Sequence, residues 1–230
     1  MKYSIYILFS LLLSVSLYGQ DAVNQFDENG KRHGVWKKTF PNSQQLRYEG
    51  TFNHGKEVGV FKFYCEECGK QPSVVSTFNK KDNAAWVQYF TKTGKLVSEG
   101  KMVSKEREGE WLAYHEKSKQ VMSREFYKNG KLHGKQTTYY ANGKATEEIH
   151  YVNGLKEGDN FYYSPEGVLI KKLNYTNDLL EGPATYYDAY GAVIIEGNYK
   201  QGKKHGLWRY FKNGELELEE TYPKPRKRGY

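Results

Sequence analysis

Cysteine is nearly absent from this chain: Cys65 and Cys68 are the only two in 230 residues. Structural zinc takes four ligands, so this pair alone supplies half a site and would need a partner or a second copy to complete one. No phosphate loop, zinc-protease signature or nucleophile elbow occurs anywhere in the sequence, which leaves no constellation for an enzyme and calls for no cofactor. Leu, Ile and Val are too sparse for one large globular core. Strong basicity is missing too. The formal net charge of +8 includes Lys2 and the terminal Lys224, Arg226, Lys227 and Arg228, and without those five it falls to +3. A body so weakly charged does not grip phosphate backbones, so nucleic acid is not an expected partner.

What the chain has is a repeated turn. Asn129-Gly130-Lys131-Leu132-His133-Gly134 has near-copies at 29–34, 153–158 and 201–206. With the second glycine as the mark, units start at Gly34, Gly59, Ala85, Gly109, Gly134, Gly158, Gly182 and Gly206, a period of 24 to 26 residues. Such a period makes a quasi-one-dimensional array in which each unit packs on its neighbours. Within a unit, as in 134–151, a Thr/Tyr-rich run is followed by Asn142-Gly143 and a second β-prone run. Asn-Gly between two strands predicts a hairpin with a type I′ turn. The expected fold is all-β: an elongated, open, solenoid-like antiparallel sheet of about eight tandem hairpins over residues 26–222.

Aromatics are abundant, with 21 Tyr, 11 Phe and 4 Trp. One column falls three residues before each inter-unit turn: Phe52, Phe78, Met102, Tyr127, Tyr151, Tyr175 and Tyr199, with Tyr222 beyond. A second falls five residues after the unit mark: Tyr64, Phe90, Tyr114, Tyr139, Tyr163, Tyr187 and Phe211. Equivalent residues of stacked hairpins share a face, so each column forms a ladder. The ladders read first as packing; the alternative is an aromatic-lined groove for a ligand or peptide.

His33, His133 and His205 share the slot before the unit glycine. At roughly 10 Å per two-stranded unit they stand too far apart to share a metal or substrate, and they read as solvated turn residues. Three departures from the turn pattern are Lys105, Asp178 and the stretch Lys80–Trp86, where both glycines are missing. A bend or irregularity is expected between the second and third units, because positive φ is costly without glycine. Cys65 and Cys68 sit at the second unit's internal turn, and a local disulfide is the leading reading. A redox pair is opposed by the neighbouring Glu66 and Glu67, and a free reduced pair stays open.

Lys2 followed by the apolar stretch Ile5–Leu17 reads as a signal peptide over 1–19, too short for the roughly 20 residues of a spanning helix. Residues 20–25 then form a linker, and 223–230 a basic tail. Export, to the periplasm or beyond the cell, is therefore expected.

The units at Gly34-Val35-Trp36, Gly109-Glu110-Trp111 and Glu196–Trp208 resemble MORN repeats, specifically their short bacterial variant. The resemblance covers roughly residues 26–222 and implies tandem hairpins with a concave face. It also implies membrane association, scaffolding or self-association, and chains of this type are often labelled as antitoxins. The expected function is a non-enzymatic, exported scaffold or adaptor with a protein partner. Alternatives are peripheral contact with an anionic envelope surface through the basic tail, and immunity-like binding of a toxin.

Overall fold

The computed structural model describes residues 22–79, 82 and 84–224. The signal-peptide segment 1–19, the turn residues Lys80, Lys81 and Asn83, and the tail cations Arg226, Lys227 and Arg228 lie outside the described residues. Among the described residues the fold is one open antiparallel sheet without helix, nineteen strands from Gln25–Phe26 to Glu215–Tyr222. Pairing follows chain order, hairpin upon hairpin. Two rungs are split at the slot before the unit glycine, where His133 and Glu157 interrupt the strands.

Two kinds of turn alternate. Between units, pairs such as Asn153-Gly154 and Gln201-Gly202 have positive φ at both central residues, the geometry of a type I′ turn. Ser104-Lys105 and Asn177-Asp178 keep that geometry without glycine. Within units the expected type I′ turn holds at Asn213-Gly214, where both residues have positive φ (53° and 81°) between the paired Lys212 and Glu215, and is corrected at Asn142-Gly143. At Asn142-Gly143 only the glycine has positive φ (83°), and Gly143 N–H donates to Tyr140 C=O while Tyr140 N–H donates to Lys144 C=O. This is a three-residue loop in which a turn is closed by a left-handed glycine, and the register shift at Thr138/Tyr139 absorbs the extra residue.

The unit glycine opens a bulge. Gly100 pairs with Trp111 but Lys101 pairs with Glu108, so Gly109 and Glu110 are looped out of register. The same two-residue offset follows Gly59, Gly134, Gly158, Gly182 and Gly206. All six glycines have φ between 68° and 101°. At Ala85 the offset is missing: the ladder runs unbroken from Val74↔Tyr89 to Phe78↔Ala85. The irregularity expected between the second and third units is therefore reversed. That pairing is the straight one, because an alanine does not open the left-handed bulge that glycine opens elsewhere.

The bulge aims the side chain two residues past the mark. Trp36, Phe61, Trp111 and Trp208 occupy this place and are buried. Phe61 covers Gly50, where a Cβ would stand 2.5 Å from the ring, and Trp111 and Trp208 cover Gly100 and Gly197 in the same way. Each indole donates its Nε1–H to a backbone carbonyl: Trp36 to Gln25 (3.0 Å), Trp111 to Lys101 (2.9 Å) and Trp208 to Asn198 (3.1 Å). Three apolar clusters form around these residues, strung along one face of the sheet.

Candidate binding surface

The two aromatic columns lie on opposite faces. Phe52 packs edge-on against Trp36 and Phe61, Tyr127 against Trp111, and Tyr199 and Tyr222 against Trp208. Phe78, Met102, Tyr151 and Tyr175 continue this column, buried or half-buried. The second column, from Tyr64 through Phe90, Tyr114, Tyr139, Tyr163 and Tyr187 to Phe211, is likewise buried or half-buried, on the reverse face. Tyr64 Oη donates to Glu49 (2.7 Å) and Tyr114 Oη to Glu99 (2.6 Å). Burial and these carboxylate partners push both phenols up to about 12. The Tyr64 hydrogen bond, helped by Lys62 and Lys37, holds Glu49 below the usual carboxylate range. Around them the reverse face mixes ion pairs such as Arg124–Glu110 (2.9 Å) and Lys172–Asp159 (2.7 Å) with exposed Val60, Trp86 and Leu207.

On the tryptophan face, the residue two before each unit mark lies over the aromatic column. Arg32 stands 5.0 Å from the Trp36 ring and 5.2 Å from Phe52; Arg107 stands 4.3 Å from Trp111 and 5.1 Å from Tyr127. Lys156 is 5.3 Å from Tyr175, and Lys204 is 4.2 Å from Trp208. Leu132 and Leu180 fill the slot in the intervening units. Sequence reasoning passed over this slot. Its signal was available, since reading position by position across the units gives Arg, Glu, Asn, Arg, Leu, Lys, Leu, Lys.

His33 and His205 are exposed and His133 half-buried, in line with turn residues, and the slot they share also acts structurally. Nδ1 of His33 and of His133 accept the amides of His54 and Asn153, each at 3.4 Å. Glu108, Glu157 and Glu181 accept those of Asn129 (2.9 Å), Asn177 (3.0 Å) and Gln201 (2.8 Å). Each carboxylate or imidazole thus holds the first left-handed residue of the next turn, and the turns interlock along one edge. His33, His133 and His205 are not brought together, and among the described residues no three His, Cys, Asp or Glu side chains gather as metal ligands. Cys65 and Cys68 are joined as a disulfide. Lys224, the described part of the tail, pairs with Glu220 at 2.6 Å.

The straight junction is also where the face opens. Ser76 faces Val87 there, in the place of the glycine–tryptophan pair. A cavity of about 790 Å³ results, floored by Phe52, Phe63, Phe78, Val87 and Met102 and rimmed by Lys56, Glu57, Asp82 and Lys105. Packing around Glu57 raises its carboxyl above the ordinary value, an effect only partly offset by Lys105 and Arg32. A pocket with an apolar floor and a few charged groups at its mouth suits an anchoring side chain or small ligand.

The family model described as the MORN repeat variant matches residues 132–153 and 156–177. No curated protein matches the chain.

Proposed function

This chain is a MORN-repeat protein, and we propose that it is a non-enzymatic, exported adaptor that holds a protein partner on its tryptophan face at the junction of the second and third units. MORN repeats are protein- and membrane-binding modules. The observation that carries the reading is the cavity of about 790 Å³ at the one junction without a glycine bulge. Around Trp36, Trp111 and Trp208 the same face is filled by the chain's own indoles and cations, so a partner finds open apolar surface at this junction. The Cys65–Cys68 bond supports the export part of this reading, since disulfides persist in oxidising compartments.

The test converts the junction to the pattern of its neighbours. A Ser76→Gly, Val87→Trp double variant restores the glycine–tryptophan pair and fills the cavity. Crosslinked capture from the host envelope should recover a stoichiometric protein with the wild type and lose it with the variant. Equal recovery by both would remove the junction from the interface.

A further inference from the structure

Glu57 breaks the chemistry of its slot. In the first, fourth, sixth and eighth units a guanidinium or ammonium of the chain itself lies over the aromatic column, within 4.2–5.3 Å of a ring. In the fifth and seventh the slot holds leucine, and Asn83 of the third lies outside the described residues. Glu57 is the only carboxylate in the series. It pairs across the ladder with Phe52, on the face of Phe61 and Phe78, and it lines the mouth of the cavity. Among the described residues no cation forms an ion pair with it; Arg32 and Lys105 influence it at longer range. Arg32 reaches Phe52 but, among the described residues, no cation lies over Phe61 or Phe78, and a carboxylate stands where that cation's charge would be.

We propose that this cavity receives a lysine or arginine side chain of a cationic segment on the protein partner. The stem would lie on Phe52, Phe63 and Phe78, the ring faces would meet the cation as they meet Arg107 and Lys204 elsewhere, and Glu57 would neutralise it. The partner thus supplies in trans what the other units supply from their own sequence. Lys56 and Lys105 at the rim oppose a second cation, so the pocket selects one positive group on an apolar stem over a dense basic cluster. The inference rests on the reading of this junction as the binding site and specifies what it binds.

The variants have precedents within the chain. Glu57→Leu copies Leu132 and Leu180, and Glu57→Lys copies Lys156 and Lys204, so both have a built-in expectation of folding; Glu57→Gln is the near-isosteric check. The probe is a blocked Gly-Lys-Gly peptide, with a norleucine counterpart that keeps the stem and lacks the ammonium. Methyl NMR of Met102 and Val87 reports on the floor. The lysine peptide should give saturable shifts in the millimolar range, weakened about tenfold or more by Glu57→Gln and lost in Glu57→Leu and Glu57→Lys. Glu57→Lys should also raise the melting temperature, because its own ammonium fills the slot. Equal shifts from the norleucine peptide, or undiminished lysine binding in Glu57→Leu, would overturn the cation claim while leaving the cavity a binding site. Silence from both peptides, together with undiminished partner capture by Ser76→Gly, Val87→Trp, would overturn both readings.

Discussion

The indole of Trp111 lies face-on over Gly100, with its Nε1–H bonded to the carbonyl of the next residue, Lys101, at 2.9 Å. A Cβ at position 100 would overlap the ring, and Gly197 stands in the same relation to Trp208. Gly100→Ala should therefore cost about 1–3 kcal/mol by overpacking, and Trp111→Ala about 3–5 kcal/mol through the void it leaves. Chemical denaturation of the two variants checks both figures.

An array loses stability locally. Gly197→Ala should loosen the units around Trp208 while leaving the cluster of Trp36, Phe52 and Phe61 intact. Hydrogen exchange should accelerate across residues 193–222 and remain unchanged across 46–63. Uniform acceleration along the chain would mean that the sheet unfolds as one unit.

The interlocked turns make a third prediction. Glu181 accepts the Gln201 amide at 2.8 Å, so Glu181→Ala should cost about 1 kcal/mol and Glu181→Gln less. The variant's melting temperature, read against Glu116→Ala at an exposed loop position, isolates the contribution of the turn contact.

Alkaline and acid limits follow from the reverse face. Tyr64 and Tyr114 have folded values raised to about 12 from an ordinary 10, so their contribution is full below pH 10 and is lost as pH rises towards 12. Glu49 is shifted the other way, so its contribution holds above its ordinary value of 4.5 and is lost as pH falls through the lower folded value. Tyr64→Phe should flatten the alkaline loss and also shrink the acid loss, because it removes the hydrogen bond that lowers Glu49. Melting temperature measured from pH 3 to 12 tests both signs.

The period of the glycine turns, the all-β sheet and the two ladders were legible because short-range chemistry fixes them: Asn-Gly sets a turn, and equivalent residues of stacked hairpins share a face. The turn types within units were legible only in part: Asn213-Gly214 has the type I′ geometry that Asn-Gly implies and Asn142-Gly143 does not. Asn142-Gly143 closes a three-residue loop because a left-handed glycine after an ordinary turn satisfies the same dipeptide, and sequence alone does not separate the two. The straight ladder at Ala85 was misread for a related reason. Loss of glycine reads in the sequence as a disturbance of a regular sheet, whereas six of the unit glycines are what offset the register. Glu57 and the cation slot were visible in the residues but lacked meaning until Arg107 and Lys204 were seen over their rings.

The most direct test of the account is a hydrogen-exchange footprint of the array in complex with its captured protein partner. Protection confined to residues 52–63, 74–78 and 85–102, with little change across 193–222, is the predicted result. Protection concentrated on the C-terminal units, with the straight junction exchanging as in the free protein, would contradict it.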